Sequence, residues 1–483
     1  MNIVTLLETL VNSLLDAEDK FFSDPRDLHT LESSVRTATN DFARNWMGGI
    51  LSQTDQIIRD LDWRKEHYNI QRRDRRSLIS SMGEVNFDCT YYLSRDHRKS
   101  YTYLLEDAVG IDRQERFTED AEAAILTEAA KTSYREATKV IPMDSEISVT
   151  TVENKVHQIA EEIPLERSEE PKKKLPYLFI EADEDHVAEQ HGRWYPKQAN
   201  GSFLCRLIYI YEYRKESDTE KGRWELVNKF YFGGLYQGSD GIERLWKKVA
   251  RYIDDRYDTD EMKQIYLSGD GASWIKSGTE WIHKALYCAD KFHLFKYINS
   301  AAGQMLDEKD LVKEELYKLL FSKNRDGFAR YTAQMYESAE RKDHIERLQT
   351  YVLDNWEAVM RTLHSRIIYG CSAEGHVSHI LSDRLSSRPM GWSQTGADRM
   401  SKLRIYVKNH GQEKIIDLVK YSRELRQNRR TEPEDIKIPY FTQRQVRTEH
   451  YQQSRSYIDR LQARIPGRTS KKSIAIMGHL WDL

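Results

Sequence analysis

The chain has 483 residues, 39% of them hydrophobic and 31% charged, with a net charge of −3. That is length for about two to four domains of roughly 100–200 residues, with enough apolar content for packed cores. It excludes a global polycation, so a nucleic-acid partner would have to meet local basic surfaces. No run approaches the ~20 apolar residues of a membrane helix. The start, MNIVTLLETLVNSLLDAEDKFF, lacks the basic stretch and cleavage site of a signal peptide. Four scattered cysteines (Cys89, Cys205, Cys288, Cys371) argue against a disulfide framework and for a reducing cytosol.

Residues 1–80 read as helix, with Leu6, Leu7, Leu10, Leu14 and Leu15 at helical spacing and Trp46, Ile50 and Ile57 continuing the pattern. In 81–117, β-branched and aromatic residues alternate with polar ones around SRDHRKS, which predicts a β-hairpin. Residues 118–160 return to helix. A break at Pro142–Asp144, followed by Ser148 as N-cap of a helix from Val149, gives a helix-turn-helix outline suited to DNA but equally to packing. Residues 161–176, charged and proline-containing, read as a linker.

The composition then changes. PYLFIEAD, FLCRLIYIYEYR and WELVNKFYFGGL are three strand-like runs, and DGIERLWKKVARYIDDRY is an amphipathic helix. QIYLSGDGASWI is a strand ending in an acid, and ALYCADKFHLFKYI a short strand leading into a helix. The order β-β-β-α-β-α-β-α over 177–299 is that of a ribonuclease-H-like core with a mixed five-stranded sheet. Strands in direct succession argue against a doubly wound dinucleotide fold. Residues 300–368 read as an all-helical insertion, 369–400 as the last part of the core, and 401–483 as a helical region, basic at Arg423, Arg426, Arg429, Arg430 and Lys471–Lys472. Arg72, Arg73, Arg75 and Arg76 form another basic run that could meet phosphates.

Asp183 closes the first apolar run, Asp270 closes the fourth and precedes Gly271, and Glu374 opens a helix. Carboxylates brought together from separate elements suit two Mg²⁺ ions about 4 Å apart, which stabilise the attacking and leaving oxygens of a phosphodiester displacement. Mg²⁺ takes oxygen ligands and keeps waters, so two or three carboxylates suffice. Singly, an acid at a strand end is more often a cap; the combination carries the reading.

IEADEDHVAEQ, LSGDGASWIKSG, ADKFHLFKYI and EGHVSHILSDRLSSRPMGWS resemble, in order, the signatures of the ISLre-two family of bacterial insertion-sequence transposases. The resemblance covers most of the chain. It implies a DDE transposase that cuts and rejoins double-stranded DNA at terminal inverted repeats and target sites, using two Mg²⁺ or Mn²⁺ ions held by Asp183, Asp270 and Glu374. It also implies a homodimer or larger assembly on DNA, in the bacterial cytoplasm near the nucleoid, with no membrane and no nucleotide cofactor. The family usually has glycine after its first Asp; here Glu184 and Asp185 follow. Strand alternation puts Asp185 on the face of Asp183, so it competes for the first metal position or assists there.

Asp290 and His293 resemble a D-x-x-H element of related transposases, with an ordinary cap and a packed histidine as the plainer alternative. At about 100° per residue, Arg384 and Arg388 fall about 80° and 40° from Glu374 around one helix. Arg388 is thus a candidate for a DNA phosphate, and Trp392 for stacking on an extruded base. Both also have structural readings, a salt bridge and a core tryptophan. Cys288, His293, Cys371 and His376 are spaced too widely for an ordinary zinc site. The acids cannot separate a transposase from a metal-dependent nuclease without strand transfer. A domesticated, non-catalytic DNA-binding protein is disfavoured because all three acids are present.

Overall fold

The computed structural model describes residues 3–95, 100–112, 115–142, 147–190, 201–217, 221–222, 224–305, 308–388, 390–427 and 447–458. They form two compact units, one from the described residues within 1–125, 135–148 and 419–458, the other from 126–134 and 149–418.

The first unit begins with α1 (Ile3–Ser23), α2 (Leu28–Asp60) and α3 (Asp62–His67). Asp27 caps α2, its side chain accepting the Thr30 N–H at 3.0 Å. Strands β1 (Tyr68–Ser80), β2 (Gly83–Ser94) and β3 (Tyr101–Thr102) form an antiparallel sheet in that order, followed by α4 (Leu104–Val109). A Cβ at Gly48 would run into the Asn86 carbonyl, so glycine is what lets α2 lie directly on β2. Buried Asp55 of α2 accepts both the N–H (2.9 Å) and the hydroxyl (2.7 Å) of Thr90 on β2. Ile58, Leu78, Phe87, Cys89, Tyr92, Leu104 and Leu105 form the core.

Residues 68–80 therefore correct the expectation of helix up to 80. The expected pairing on either side of SRDHRKS is that of β2 with β3, with residues 96–99 outside the described residues, and β2 also pairs with β1 across a turn between Ser80 and Gly83. Three of the four arginines that hid the strand have acidic partners. Arg72 pairs with Asp74 (2.9 Å) and lies over Tyr91, Arg73 pairs with Asp88 (3.3 Å), and Arg76 pairs with Glu106.

Helix α5 (Glu119–Lys131) spans the division between units, α6 (Tyr134–Ala137) is a single turn, and α7 (Val149–His157) starts where expected. Residues 143–146, the expected turn of the helix-turn-helix, lie outside the described residues. In the second unit, β4 (Tyr177–Ala188), β5 (Ser202–Tyr211), β8 (Phe230–Gly234), β9 (Gln264–Gly269) and β10 (Ala285–Ala289) build a five-stranded mixed sheet in the order β10-β9-β4-β5-β8. Strands β4, β9 and β10 run parallel, while β5 and β8 are antiparallel to their neighbours. Strands β6 (Tyr213–Glu216) and β7 (Trp224–Val227) form a separate ribbon.

Leu178, Ile180 and Ala182 of β4 face a core that includes Trp246 and Val249 of α8 (Gly238–Arg256) and Trp274 of α9 (Ser273–Lys276); α10 (Gly278–Trp281) follows. Beyond β10 come α11 (Lys291–Ala302), α12 (Lys309–Phe321), α13 (Arg325–Ser338), α14 (Lys342–Asp354) and α15 (Trp356–His364), with a core of their own. Then follow α16 (Ala373–Val377), a π-turn at Ser378–Ser382, α17 (Asp383–Leu385), α18 (Gln394–His410) and α19 (Ile415–Gln427).

The expected linker 161–176 is irregular but packed. Lys173 bridges to Tyr257 and pairs with Glu212 at 2.8 Å, the Ser168 N–H donates to Asp255 at 2.7 Å, and Leu165 packs on the sheet core. Among the described residues no helix is long and apolar enough to cross a membrane.

Candidate active site

Register aligns the acids. Glu181 of β4 and Cys288 of β10 both pair with Ser268 of β9. Two positions further along these parallel strands stand Asp183, Asp270 and Asp290. Pairing of β4 with β9 stops at Glu181, while β4 itself continues to Ala188, so Asp183 lies within its strand rather than at its end. Asp270 follows β9, and Gly271, at φ 102°, makes the turn that an L side chain would resist. The Asp270 carboxylate accepts the Ala272 N–H at 2.9 Å.

Asp183 accepts the Glu184 N–H at 2.9 Å. Burial, with a contribution from the negative charge of Asp270, pushes its carboxyl up to about 6. Asp290 is buried and caps α11, accepting the Phe292 N–H at 2.8 Å, and its other oxygen lies 2.7 Å from His293 Nδ1. That hydrogen bond raises the His293 pKa, and the charges of Asp270 and Asp183 act in the same direction. Asp183, Asp270, Asp290 and His293 thus share one electrostatic neighbourhood.

Glu374 is the second residue of α16 and is exposed. Its helix lies on the face of the sheet that carries Glu181, Asp183 and Asp185. The Ser372 N–H donates to Glu181 at 2.6 Å, and the Ser382 and Ser386 hydroxyls donate to Asp185 at 3.0 and 2.7 Å. Among the described residues no group of three or more His, Cys, Asp or Glu side chains is arranged to hold a metal ion. The structure therefore draws Asp183 and Asp270 together and sets Glu374's helix on their face without closing the three carboxylates into one cluster. The donor set itself fits a hard divalent cation. Two neighbouring carboxylates, one of them forced upward in pKa by burial, present oxygen ligands to such an ion.

Glu184, where the resemblance implies glycine, points to the opposite face and accepts a hydrogen bond from the Trp274 indole. Other expectations are corrected. The π-turn breaks the uniform helical phase from which Arg384 was placed beside Glu374. Arg384 is buried, donates to the Ala129 carbonyl at 3.1 Å and lies over the rings of Tyr134 and Trp392. Trp392 is likewise buried, its indole donating to Leu385 O at 3.1 Å and its backbone bonded to Ala188 and Gln190. With Arg384 on its face and Tyr134 at its edge, that ring is not free to stack on a base. Arg388 is exposed at the end of this segment. Arg423 is buried against Glu122 (2.6 Å), so it is not a free basic contact. Arg429, Arg430, Lys471 and Lys472 lie outside the described residues.

Sequence reasoning missed the polar network beneath α16. Fully buried Glu181 accepts hydrogen bonds from the hydroxyls of Tyr209, Tyr211 (2.8 Å) and Ser372 (3.1 Å). Burial pushes His376 down to about 4; its ring packs on Tyr209 and its Nδ1 lies 3.0 Å from the Tyr231 hydroxyl. The signal was an acid inside the apolar run LFIEAD, paired across the sheet with Tyr209.

The profile of an uncharacterised protein family, UPF0236, matches residues 24–421. Two relatives come from Caldanaerobacter subterraneus subsp. tengcongensis. The UPF0236 protein TTE2489 is 34% identical over 79% of this chain and 79% of its own length. A second UPF0236 protein, which carries eleven designations from TTE0033 to TTE2212, is 33% identical over 82% of this chain and 81% of its own. Among solved structures, the Drosophila P element transposase strand transfer complex aligns with 65% of this chain and 82% of that chain at 12% identity, with a TM-score of only 0.21.

Proposed function

The chain belongs to the uncharacterised protein family UPF0236, and we propose that it is a DDE-type transposase that cuts and joins DNA in a ribonuclease-H-like core. The observation that carries this reading is the row of Asp183, Asp270 and Asp290 just beyond the point where the three parallel strands stop pairing, with Glu374's helix on the face of Asp183. The strand succession and the order β10-β9-β4-β5-β8 support the fold reading. A relative that carries eleven designations in one strain is what a sequence multiplying within a genome would produce.

In this reading Asp183, Asp270 and Glu374 hold two Mg²⁺ or Mn²⁺ ions. Bound there, the ions would supply charge for the attacking and leaving oxygens of an in-line displacement. Asp183 and Asp270, on and just after the interior strands β4 and β9, would hold the ions, whose charge would attract the reacting phosphate that the two carboxylates alone would repel. Water attacks phosphorus, a new P–O bond forms, and the 3′-oxygen leaves as a hydroxyl. That hydroxyl then attacks a target phosphodiester, exchanging one P–O bond for another, so no external energy source is required. Asp290 holds His293 through the Oδ2–Nδ1 hydrogen bond, which raises the His293 pKa and so favours the charged imidazole beside the DNA phosphate.

The test is cleavage of duplex DNA carrying the gene's own flanking sequence, with Mg²⁺ or Mn²⁺. Asp183→Asn, Asp270→Asn and Glu374→Gln should each abolish cleavage in a folded protein. Near-normal cleavage by Asp270→Asn would overturn the assignment. Product joined to a second duplex separates strand transfer from simple nuclease action.

A further inference from the structure

On β4, Glu181, Asp183 and Asp185 share one face by strand alternation. The outer two are not free. Glu181 accepts the Ser372 N–H at 2.6 Å and the Ser372 hydroxyl at 3.1 Å, just before α16. Asp185 accepts the Ser382 and Ser386 hydroxyls at 3.0 and 2.7 Å on a single oxygen, Oδ1, just after the π-turn begins to close. Among the described residues Asp183, between them, accepts only the neighbouring Glu184 N–H.

We infer that Glu181 and Asp185 are positioning residues, a two-point latch that bolts the segment 372–386 to β4 on either side of Asp183 and so fixes where Glu374 stands. Both acids are buried, at 2% and 7% exposure, where an unpaired carboxylate is costly and a donor is held firmly. The two anchor points lie ten and fourteen residues apart along the helical segment (Ser372 to Ser382 and Ser386). The π-turn at 378–382 supplies the extra winding between them, in keeping with the occurrence of such turns at functional sites. The latch also separates the two candidates for the first metal position. Asp185 is engaged by the serines, and Asp183 is the member of the pair left open to a cation.

Among the described residues Asp185 Oδ2, a buried oxygen, has no hydrogen-bond partner, so direct ligation by Asp185 is the competing outcome. The latch itself is a matter of structure; its consequence for metal rests on the transposase reading. Two readouts on the full chain keep these apart. Hydrogen exchange of the amides of 374–386 reports the latch, and Mn²⁺ titration by calorimetry, followed by cleavage, reports its consequence.

The paired variant Ser382→Ala/Ser386→Ala should speed exchange across 374–386 while leaving β9 unchanged, and weaken Mn²⁺ binding by about 10- to 100-fold, the usual cost of losing an outer-shell partner. Asp185→Asn, whose amide oxygen still accepts from both serines, should keep wild-type exchange and stay within about threefold of wild-type Mn²⁺ affinity, well below that outer-shell range. Asp185→Ala should behave like the serine pair. Wild-type exchange in the serine pair would overturn the latch. So would loss of Mn²⁺ binding in Asp185→Asn as complete as in Asp183→Asn, because Asp185 would then be a ligand. Absence of Mn²⁺ binding and cleavage in the wild type would overturn the transposase reading, and exchange alone would still decide the latch.

Discussion

Asp183 carries a charge that its surroundings disfavour. Unfolded, it titrates near about 4; folded, burial and Asp270 hold it at about 6. The folded chain therefore binds the proton more tightly, so this group costs stability as pH rises from about 4 to about 6, with the cost constant above. Asp183→Asn removes the cost. Denaturation curves should find it more stable than wild type above pH 6, by up to about 3 kcal/mol at 1.36 kcal/mol per pH unit, with no gain at pH 4. A divalent cation that binds only the folded chain should raise the melting temperature of the wild type and much less that of Asp183→Asn. Equal responses in the two proteins would place the cation elsewhere.

Asp183, Asp270 and Glu374 could be named from the sequence because each stands at the edge of an apolar or helical run. That Asp290 falls in the same row could not, since row membership depends on strand register and β10 is only five residues long. Glu181 was passed over because one acid inside an apolar strand looks like an interruption until its partners, Tyr209 and Tyr211 on β5, are known.

At the scale of elements, the strands of the five-stranded sheet were legible as apolar runs between turns, but FLCRLIYIYEYR and WELVNKFYFGGL, each expected as one strand, also supply the separate ribbon of β6 and β7. β1 was not legible, because arginines at 72, 73, 75 and 76 mask a strand in which Arg72, Arg73 and Arg76 are matched by Asp74, Asp88 and Glu106. The segment 373–392 misled for another reason. A constant helical phase was carried across residues that include a π-turn and the end of the helix, and both Arg384 and Trp392 turned out to be buried.

Their burial sets two expectations. Trp392→Ala should cost about 3–5 kcal/mol of stability, as for other large core truncations. A drop in DNA affinity with unchanged stability would restore the base-stacking role. Arg423→Ala leaves Glu122 buried without its guanidinium partner, a loss of about 3–5 kcal/mol for a broken buried pair. The salt dependence of DNA binding should stay as in wild type, because Arg423 is not offered to phosphate. A shallower salt slope would show that it is.

For the whole molecule, cutting and joining two DNA ends requires two sites, so we expect two or more copies on DNA. Light scattering of the full chain with its own terminal sequence, without metal, should find at least a doubled protein mass relative to the free chain. Binding should weaken steeply with salt, as counterion release demands. A monomer that stays monomeric on DNA and still joins ends would contradict this.

That Asp183, Asp270 and Glu374 hold two divalent cations in one site is tested most directly by a crystal of the full chain soaked in Mn²⁺, with the ions located by anomalous scattering. Two peaks about 4 Å apart are expected, touched by Asp183 and Asp270, with Glu374 turned in from solvent to complete the site. Peaks held by other side chains, or no peak at Asp183 and Asp270 at saturating Mn²⁺, would contradict that assignment.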